Sequence, residues 1–67
     1  MVKLEIKNNL FWGTYELHMS TGGKLVWVED YTRKSSAIRG AKRLAKHFKE
    51  PVRIYVDGEL LCWMTPL

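Results

Sequence analysis

Cysteine, proline and long apolar runs are scarce in this chain, and these shortages exclude several classes of protein. The single cysteine, Cys62, excludes an intrachain disulfide, and no Cys and His residues have the spacing of a zinc site. No stretch approaches the roughly 18 consecutive apolar residues of a membrane span. The start of the chain, MVKLEIKNN, lacks the apolar core of a signal peptide. We expect one small cytoplasmic domain over residues 1–67, with no metal, cofactor or membrane partner.

Signatures of catalysis are missing as well. Gly22-Gly23 lies between two predicted strands, whereas a phosphate-binding loop joins a strand to a helix. Cys62 lies in an apolar strand and His18 alternates onto a sheet face, so packing and solvent exposure account for both. Glu29 and Asp30 are adjacent in a strand and point to opposite faces, so they do not form an acid–base pair. We expect no catalytic residues and a protein that is not an enzyme.

Acidic residues are absent from residues 31–49, YTRKSSAIRGAKRLAKHFK, which hold seven of the eleven Lys and Arg residues. The rest of the chain has four basic residues against seven acidic ones. The net charge of +4 is therefore strongly polarised along the chain, and a basic segment of this kind indicates a partner that carries negative charge.

The first half of the chain has the period of two that is typical of strands. Val2, Leu4 and Ile6 alternate with charged residues. Asn8-Asn9 predicts a tight turn, and the run LFWGTYELHMS after it predicts a second strand with Phe11 on its buried side. STGG is the next turn, and KLVWVED predicts a third strand. These elements predict a three-stranded antiparallel meander.

From Ser35 the period changes to that of a helix. Six apolar residues fall within one arc of about 100°, the stripe by which a helix packs on a core. Thr32, Ser35 and Ser36 are alternative N-caps, and Pro51, which lacks an amide proton, is expected to stop the helix. The stripe consists of Ala37, Ile38, Ala41, Leu44, Ala45 and Phe48.

Two more strands follow the helix. VRIYV places Val52, Ile54 and Val56 on one face, Asp57-Gly58 predicts a hairpin, and ELLCWM predicts a fifth strand that ends at Pro66. The predicted class is α+β, with an antiparallel sheet, elements in the order β-β-β-α-β-β, and one amphipathic helix packed on one face.

The helix arc opposite the apolar stripe carries Arg39, Lys42, Arg43 and Lys46, with Lys49 at its margin. Charged helix faces are usually only solvated, but they usually mix signs, because like charges at i,i+4 repel by a few tenths of a kcal/mol. Here Arg39 repels Arg43 and Lys42 repels Lys46. Simple solvation, an acidic protein surface and a polyanion such as nucleic acid are the three interpretations, and we prefer the polyanion.

Exposed tryptophans on the sheet are a second candidate surface. If the helix covers one sheet face, Trp12 and other residues of its strand occupy the opposite face. Aromatic side chains on a sheet stack on unpaired bases in single-strand binders. Completion of the small core is the preferred interpretation of these tryptophans, and Trp12 and Trp27 are the candidate auxiliary stacking residues.

The segment KLVWVEDYTRKSSAIRGAKRLAKHF resembles the core of small uncharacterised bacterial and phage domains of β-β-α-β order. An aromatic strand, a Thr or Ser helix cap, an Ala-rich helix and a later strand ending in Asp-Gly carry the likeness. The matching positions are Trp27, Thr32, Ala37, Ile38, Ala41, Ala45 and Asp57-Gly58.

The β-β-β-α order is also similar to the Apetala-type and integrase arm-type DNA-binding domains, which lay a three-stranded sheet in the major groove with a helix behind it. Here the second and third strands and their turn carry only Lys24 and His18 as candidate cations. The resemblance therefore implies the topology, and the helix is preferred to the sheet for phosphate contacts.

Together these patterns predict a non-enzymatic module of a bacterial or phage-infected cell that binds DNA or RNA through phosphates. The alternative is a small phage-type module that modulates a host protein through the basic helix or an edge strand. A homodimer is left open, with Cys62 and the WMTPL segment as its candidate interface. The candidate phosphate-binding residues are Arg33, Lys34, Arg39, Lys42, Arg43, Lys46 and Lys49.

Overall fold

Five strands and one helix account for most of the chain in the computed structural model, which describes residues 2–65. The α+β class and the predicted element order β-β-β-α-β-β are confirmed. The strands are β1 (Val2–Asn9), β2 (Thr14–Thr21), β3 (Lys24–Tyr31), β4 (Val52–Val56) and β5 (Glu59–Met64), and the helix is α1 (Lys34–Ala45).

The sheet is mixed, with the strand order β3-β2-β1-β4-β5. The predicted antiparallel pairing holds for β1 with β2, β2 with β3, and β4 with β5, whereas the central pair β1 and β4 is parallel. The helix is the reason. It carries the chain back along the sheet after β3, and strands joined by such a crossover run parallel. As a result, β1 is the middle strand of the sheet, with β2 on one side and β4 on the other.

The core lies between the sheet and the helix. The side chains of Val2, Leu4 and Ile6 in β1 are buried, as the alternation predicted, and so is Leu17 in β2. The apolar stripe of α1 packs on them, with Ala37, Ala41 and Ala45 buried and the larger stripe residues half-buried at its margins. The predicted faces of β4 and of the helix are therefore confirmed. Cys62 is half-buried and packs against this core.

The turn between β1 and β2 differs from the prediction. Asn8 and Asn9 belong to β1, the turn occupies residues 10–13, and β2 begins at Thr14. The Asn9 side chain accepts hydrogen bonds from the amides of Phe11 (3.1 Å) and Trp12 (3.2 Å), and Gly13, with φ 67°, donates to the Asn9 carbonyl (2.8 Å). Gly13 closes the turn because it adopts positive φ without strain. The prediction of Phe11 as a buried strand residue is therefore wrong.

The other two hairpins form at the predicted places. Gly22-Gly23 joins β2 to β3, although Ser20 and Thr21 belong to β2, and Asp57-Gly58 joins β4 to β5. All four turn residues have positive φ, the conformation that two-residue hairpins of this kind require. The strand β5 ends at Met64, and Pro66, predicted to end it, lies outside the described residues.

Both ends of α1 differ from the prediction. The helix begins at Lys34, one residue before Ser35, and its N-cap is Arg33, with no side-chain hydrogen bond to the first turn. None of the three predicted hydroxyl caps holds that position. The helix ends at Ala45, well before Pro51, because His47 and Phe48 donate to carbonyls three residues back, which tightens and closes the last turn. Lys49 therefore lies beyond the helix.

Tyr31 and Gly40 fix the helix against the edge strand β3. A Cβ atom built at Gly40 would overlap the Tyr31 hydroxyl and lie 2.7 Å from Tyr31 Cζ, so the ring occupies the space that a larger residue at position 40 would need. Glycine costs about 1 kcal/mol relative to alanine inside a helix, and here it permits this close approach. Burial raises the pKa of Tyr31 above 10.0, and the neighbouring Glu29 raises it further.

Candidate nucleic-acid interface

The outer face of α1 is the most strongly charged surface that the fold creates. Because Ala37, Ala41 and Ala45 point into the core, the residues on the other side of the helix point away from the sheet. All four predicted cations of this face are exposed. We call them the basic helix face: Arg39, Lys42, Arg43 and Lys46.

The basic helix face is much less compensated than the rest of the surface. Glu50 apart, no carboxylate of residues 2–65 lies within 4.0 Å of any of its four cations. The helix dipole favours Lys42 and Arg43, which lie in the last turn, but it gives no such support to Arg39. Arg43 lines a small groove with Glu29 and Tyr31, so its charge is the least isolated of the four. The repulsion between cations three and four residues apart remains as predicted.

The other predicted cations lie at the two ends of the helix. Arg33 is the N-cap, and Lys34 in the first turn has its Nζ 4.0 Å from Asp57 Oδ2, so a carboxylate partly neutralises it. Lys49 follows the helix and lines, with Lys46, an open groove of about 760 Å³ beside Phe48, Trp63 and Met64. The structure thus brings Lys49 close to the basic helix face and separates Arg33 and Lys34 from it.

The uncovered face of the sheet carries cations that the sequence analysis did not assign to any surface. The alternation of β1 puts Lys3, Glu5 and Lys7 on the side opposite the core, and Lys3 pairs with Arg53 of β4. The Lys3 and Lys7 ammonium groups lie 3.7 Å and 3.9 Å from Glu5 Oε1. We call this surface the open sheet face. Its cations were missed because nothing in the chain indicated that β1 and β4 are neighbours.

Aromatic rings accompany the cations of the open sheet face. Lys3 Nζ lies 4.9 Å from the centroid of the Tyr55 ring, and Arg53 Cζ lies 4.5 Å from that of Trp63. Such cation–π contacts contribute about 0.5–1 kcal/mol at exposed sites. Within residues 2–65, the buried Nε atom of Arg53 has no hydrogen-bond partner, and the guanidinium group lies over the Trp63 ring. Each cation of this face therefore has a carboxylate or a ring beside it.

The two tryptophans predicted as stacking residues lie on different surfaces. Trp27 pairs with Met19, whose side chain packs on the core, so Trp27 lies on the helix side of the edge strand β3. Its Nε1 donates to Glu29 Oε2 at 3.4 Å. Trp12 belongs to the turn after β1 and lines a groove with Thr14, and it is not a strand residue. Trp63 lies on the open sheet face beside Arg53, and Trp12 borders the same face at the turn. Trp12 and Trp27 therefore do not form a shared stacking platform.

The turn between β1 and β2 presents three consecutive large apolar side chains to solvent. Leu10, Phe11 and Trp12 are 86%, 84% and 73% exposed. We call them the apolar tip. The Phe11 and Trp12 rings meet edge to face with centroids 4.9 Å apart, and Asn9 holds both amides. The sequence analysis missed the apolar tip because the alternating run LFWGTYELHMS has the period of a strand.

Hydrogen bonds tie the apolar tip to the sheet. Asn9 Nδ2 donates to Glu16 Oε2 at 3.0 Å, and His18 Nε2 lies 2.9 Å from Glu16 Oε1. The hydrogen bond with His18, and next that with Asn9, hold the pKa of Glu16 below its usual 4.5. The chain His18–Glu16–Asn9 thus orders the turn from the surface of β2.

Neither a cluster of metal-binding side chains nor a membrane-spanning helix is found in the part of the chain that the structure describes. Over residues 2–65, no three His, Cys, Asp or Glu side chains are grouped so that they could hold a metal ion. The one helix, α1, is too short and too polar to cross a bilayer.

The fold defines a small α+β domain whose helix presents four exposed cations on one face. The chain matches no protein-family model, no curated protein and no solved structure. The two resemblances drawn from the sequence therefore stay predictions, and any function is argued from the surface itself.

Proposed function

We propose that this protein binds nucleic acid through the phosphate backbone, with the basic helix face as its contact surface. One observation supports the proposal above all others. Four exposed cations share one helix face, and, Glu50 apart, no carboxylate of the described residues forms an ion pair with them. A phosphate backbone would relieve their mutual repulsion, and the release of its counterions would favour binding.

The geometry sets the size of the contact. At 1.5 Å per residue, Arg39 and Lys46 are about 10 Å apart along the helix axis, which corresponds to about three base steps of one strand. Contacts to three or four phosphates predict a slope of about −3 in a plot of log K against log salt for duplex DNA. Phosphate contacts position a protein without reading sequence, so we expect little discrimination between sequences.

Two triple variants of equal composition test the proposal. The helix variant carries Arg39→Gln, Lys42→Gln and Lys46→Gln, and the control carries Lys3→Gln, Lys7→Gln and Arg53→Gln on the open sheet face. Each loses one Arg and two Lys, so the net charge is the same. Fluorescence anisotropy with labelled duplex and single-stranded oligonucleotides over a series of salt concentrations compares them.

We expect the helix variant to bind on the order of a hundredfold more weakly at low salt, with a salt slope close to zero. The control should keep most of the affinity and the slope of the native chain. Circular dichroism melting confirms that both variants are folded. If the native chain binds neither oligonucleotide at low salt, the proposal fails, and if both variants weaken equally, the basic helix face is not the site.

A second candidate function, a module that binds and modulates a host protein, is favoured by the apolar tip. Three exposed apolar side chains, two of them on residues whose amides donate to Asn9, form the ring-rich kind of contact that dominates protein interfaces. Both candidate functions place the protein in the cytoplasm of a bacterial or phage-infected cell.

Pull-downs from nuclease-treated lysate separate the two candidate functions. A stoichiometric protein partner that is lost in the variant Phe11→Ser, Trp12→Ser and kept by the helix variant would favour the interaction module. Loss of every partner on nuclease treatment would favour nucleic-acid binding.

A further inference from the structure

The edge strand β3 has a row of unpaired backbone groups beside exposed apolar side chains. The strand order places β3 at one edge of the sheet and β5 at the other. Leu25, Val26, Trp27 and Val28 are consecutive in β3, and each is about half exposed. An exposed apolar edge of this kind is a template for pairing with another strand. The strand lacks proline, one of the devices that protect such edges.

Charge distinguishes the two edges. In β3, Lys24 lies at one end and Glu29 and Asp30 lie near the other, so two antiparallel copies of β3 bring opposite charges together at both ends of the pair. The only charged residue of β5 is Glu59, at its start, so pairing of β5 with itself gains no such contact. Each edge strand carries one β-bulge, at Val26 in β3 and at Leu61 in β5, so the bulges do not favour either edge.

The side chains of β3 on the helix side show which charges would meet. Trp27 pairs with Met19 and Lys24 pairs with Thr21, and both partners share the face of the buried Val2 and Leu17. Glu29 lies on this side as well, since it pairs with Leu17. Trp27 is therefore between a cation and a carboxylate of the same face. In an antiparallel pair that joins Lys24 to Glu29 of the second copy, the two Trp27 rings become neighbours.

We propose that this protein forms a homodimer by antiparallel pairing of the β3 strands of two copies. The two-fold axis is perpendicular to the sheet, so the two five-stranded sheets join into one and both helices lie on the same side. This arrangement puts two basic helix faces on one surface. The dimer goes beyond the proposed function and does not depend on it, because it forms without nucleic acid.

Sedimentation equilibrium of the full chain over a wide concentration range, without nucleic acid, tests the dimer. Val26→Lys places a charge at the bulge of β3, and Leu61→Lys makes the matched change at the bulge of β5. We expect the native chain and Leu61→Lys to fit a monomer–dimer equilibrium with the same dissociation constant. Val26→Lys should raise that dissociation constant at least about tenfold, because the two-fold symmetry places the substituted residue of both copies in the interface.

A charge exchange tests the antiparallel direction. Lys24→Glu and Glu29→Lys should each weaken the dimer, and the double variant, which restores opposite charges, should recover most of the native dissociation constant. A monomer at all concentrations would overturn the proposal. Species larger than a dimer would overturn it too, because they indicate that β3 pairs with β5 in an open chain of copies. Equal effects of Val26→Lys and Leu61→Lys, or no recovery in the double variant, would also contradict the proposal.

Discussion

The basic helix face and the open sheet face differ in how their charges are compensated. On the open sheet face, Lys3 and Lys7 lie beside Glu5, and Arg53 lies over the ring of Trp63. On the basic helix face, Glu50 apart, no carboxylate of residues 2–65 lies within 4.0 Å of a cation. A surface that only keeps a domain in solution works well with mixed and paired charge. A face of one sign costs folding free energy, so the contrast supports the basic helix face as the proposed contact surface.

The largest effect on stability is expected from Gly40→Ala, which tests how the basic helix face is held outward. The new Cβ would overlap the Tyr31 ring and displace it, and such overpacking costs about 1–3 kcal/mol, more than the roughly 1 kcal/mol that alanine gains in helix propensity. Urea unfolding should show a lower free energy of unfolding. The pKa of Tyr31 should also fall back toward 10.0 in an ultraviolet titration, because the displaced ring enters water.

A Tyr31→Ala background supplies the control for Gly40→Ala. Without the ring there is no overlap, so the same substitution should stabilise the protein by up to about 1 kcal/mol through helix propensity. A loss of stability of equal size in both backgrounds would show that the Tyr31 contact is not the cause.

A smaller effect of opposite sign on the two faces is expected from matched Lys→Glu substitutions. Lys42→Glu removes repulsion with Arg39 and Lys46 and creates attractive pairs at i−3 and i+4, so the free energy of unfolding should rise by about 0.5–1 kcal/mol. Lys3→Glu puts a second carboxylate beside Glu5 and removes the contact with Tyr55, so it should destabilise by about the same amount. Both changes lower the net charge equally.

Thermal and urea unfolding at low salt measure the stability of the two Lys→Glu variants. The difference between their free energies of unfolding should shrink at high salt, because exposed charges are screened. If Lys42→Glu lowered the stability as Lys3→Glu does, the basic helix face would have compensation that its geometry does not show. If the protein binds nucleic acid, Lys42→Glu should weaken that binding even though it raises the stability of the fold.

The smallest effect concerns Glu16, which orders the apolar tip from the edge of the open sheet face. Hydrogen bonds with His18 and Asn9 lower its pKa below 4.5. A carboxyl group with a lowered folded-state pKa stabilises the fold above its unfolded-state pKa, and that contribution is lost as the pH falls through the folded-state value. The stability should therefore decline on the acid side, below about pH 4.5.

An NMR titration of the Glu16 carboxyl carbon checks the pKa directly. Asn9→Ala should raise the Glu16 pKa toward 4.5 and loosen the amides of Phe11 and Trp12, whereas Asn8→Ala, which removes no hydrogen bond to Glu16, should change neither. A Glu16 pKa that does not change in Asn9→Ala would remove this hydrogen bond as a cause.

Local patterns predicted the elements whose cause is local. The alternation of Val2, Leu4 and Ile6, the alanine stripe of α1, and the turns at Gly22-Gly23 and Asp57-Gly58 are all confirmed. The turn at residues 10–13 could not be predicted in the same way, because the apolar residues Leu10, Phe11 and Trp12 fit the pattern of a strand. Its position depends on one side chain, Asn9, and on Gly13.

The sequence by itself determined the α+β class, the order of the elements and the segregation of cations to one side of the helix, since each follows from the period of neighbouring residues. The tertiary structure decided that β1 and β4 pair in parallel, and with that pairing it decided the partners of Lys3 and Arg53. It also decided that Trp27 and Trp12 lie apart. Contacts between residues about 50 positions apart leave no period in the sequence, because strand pairing depends on backbone hydrogen bonds that every residue except proline can make.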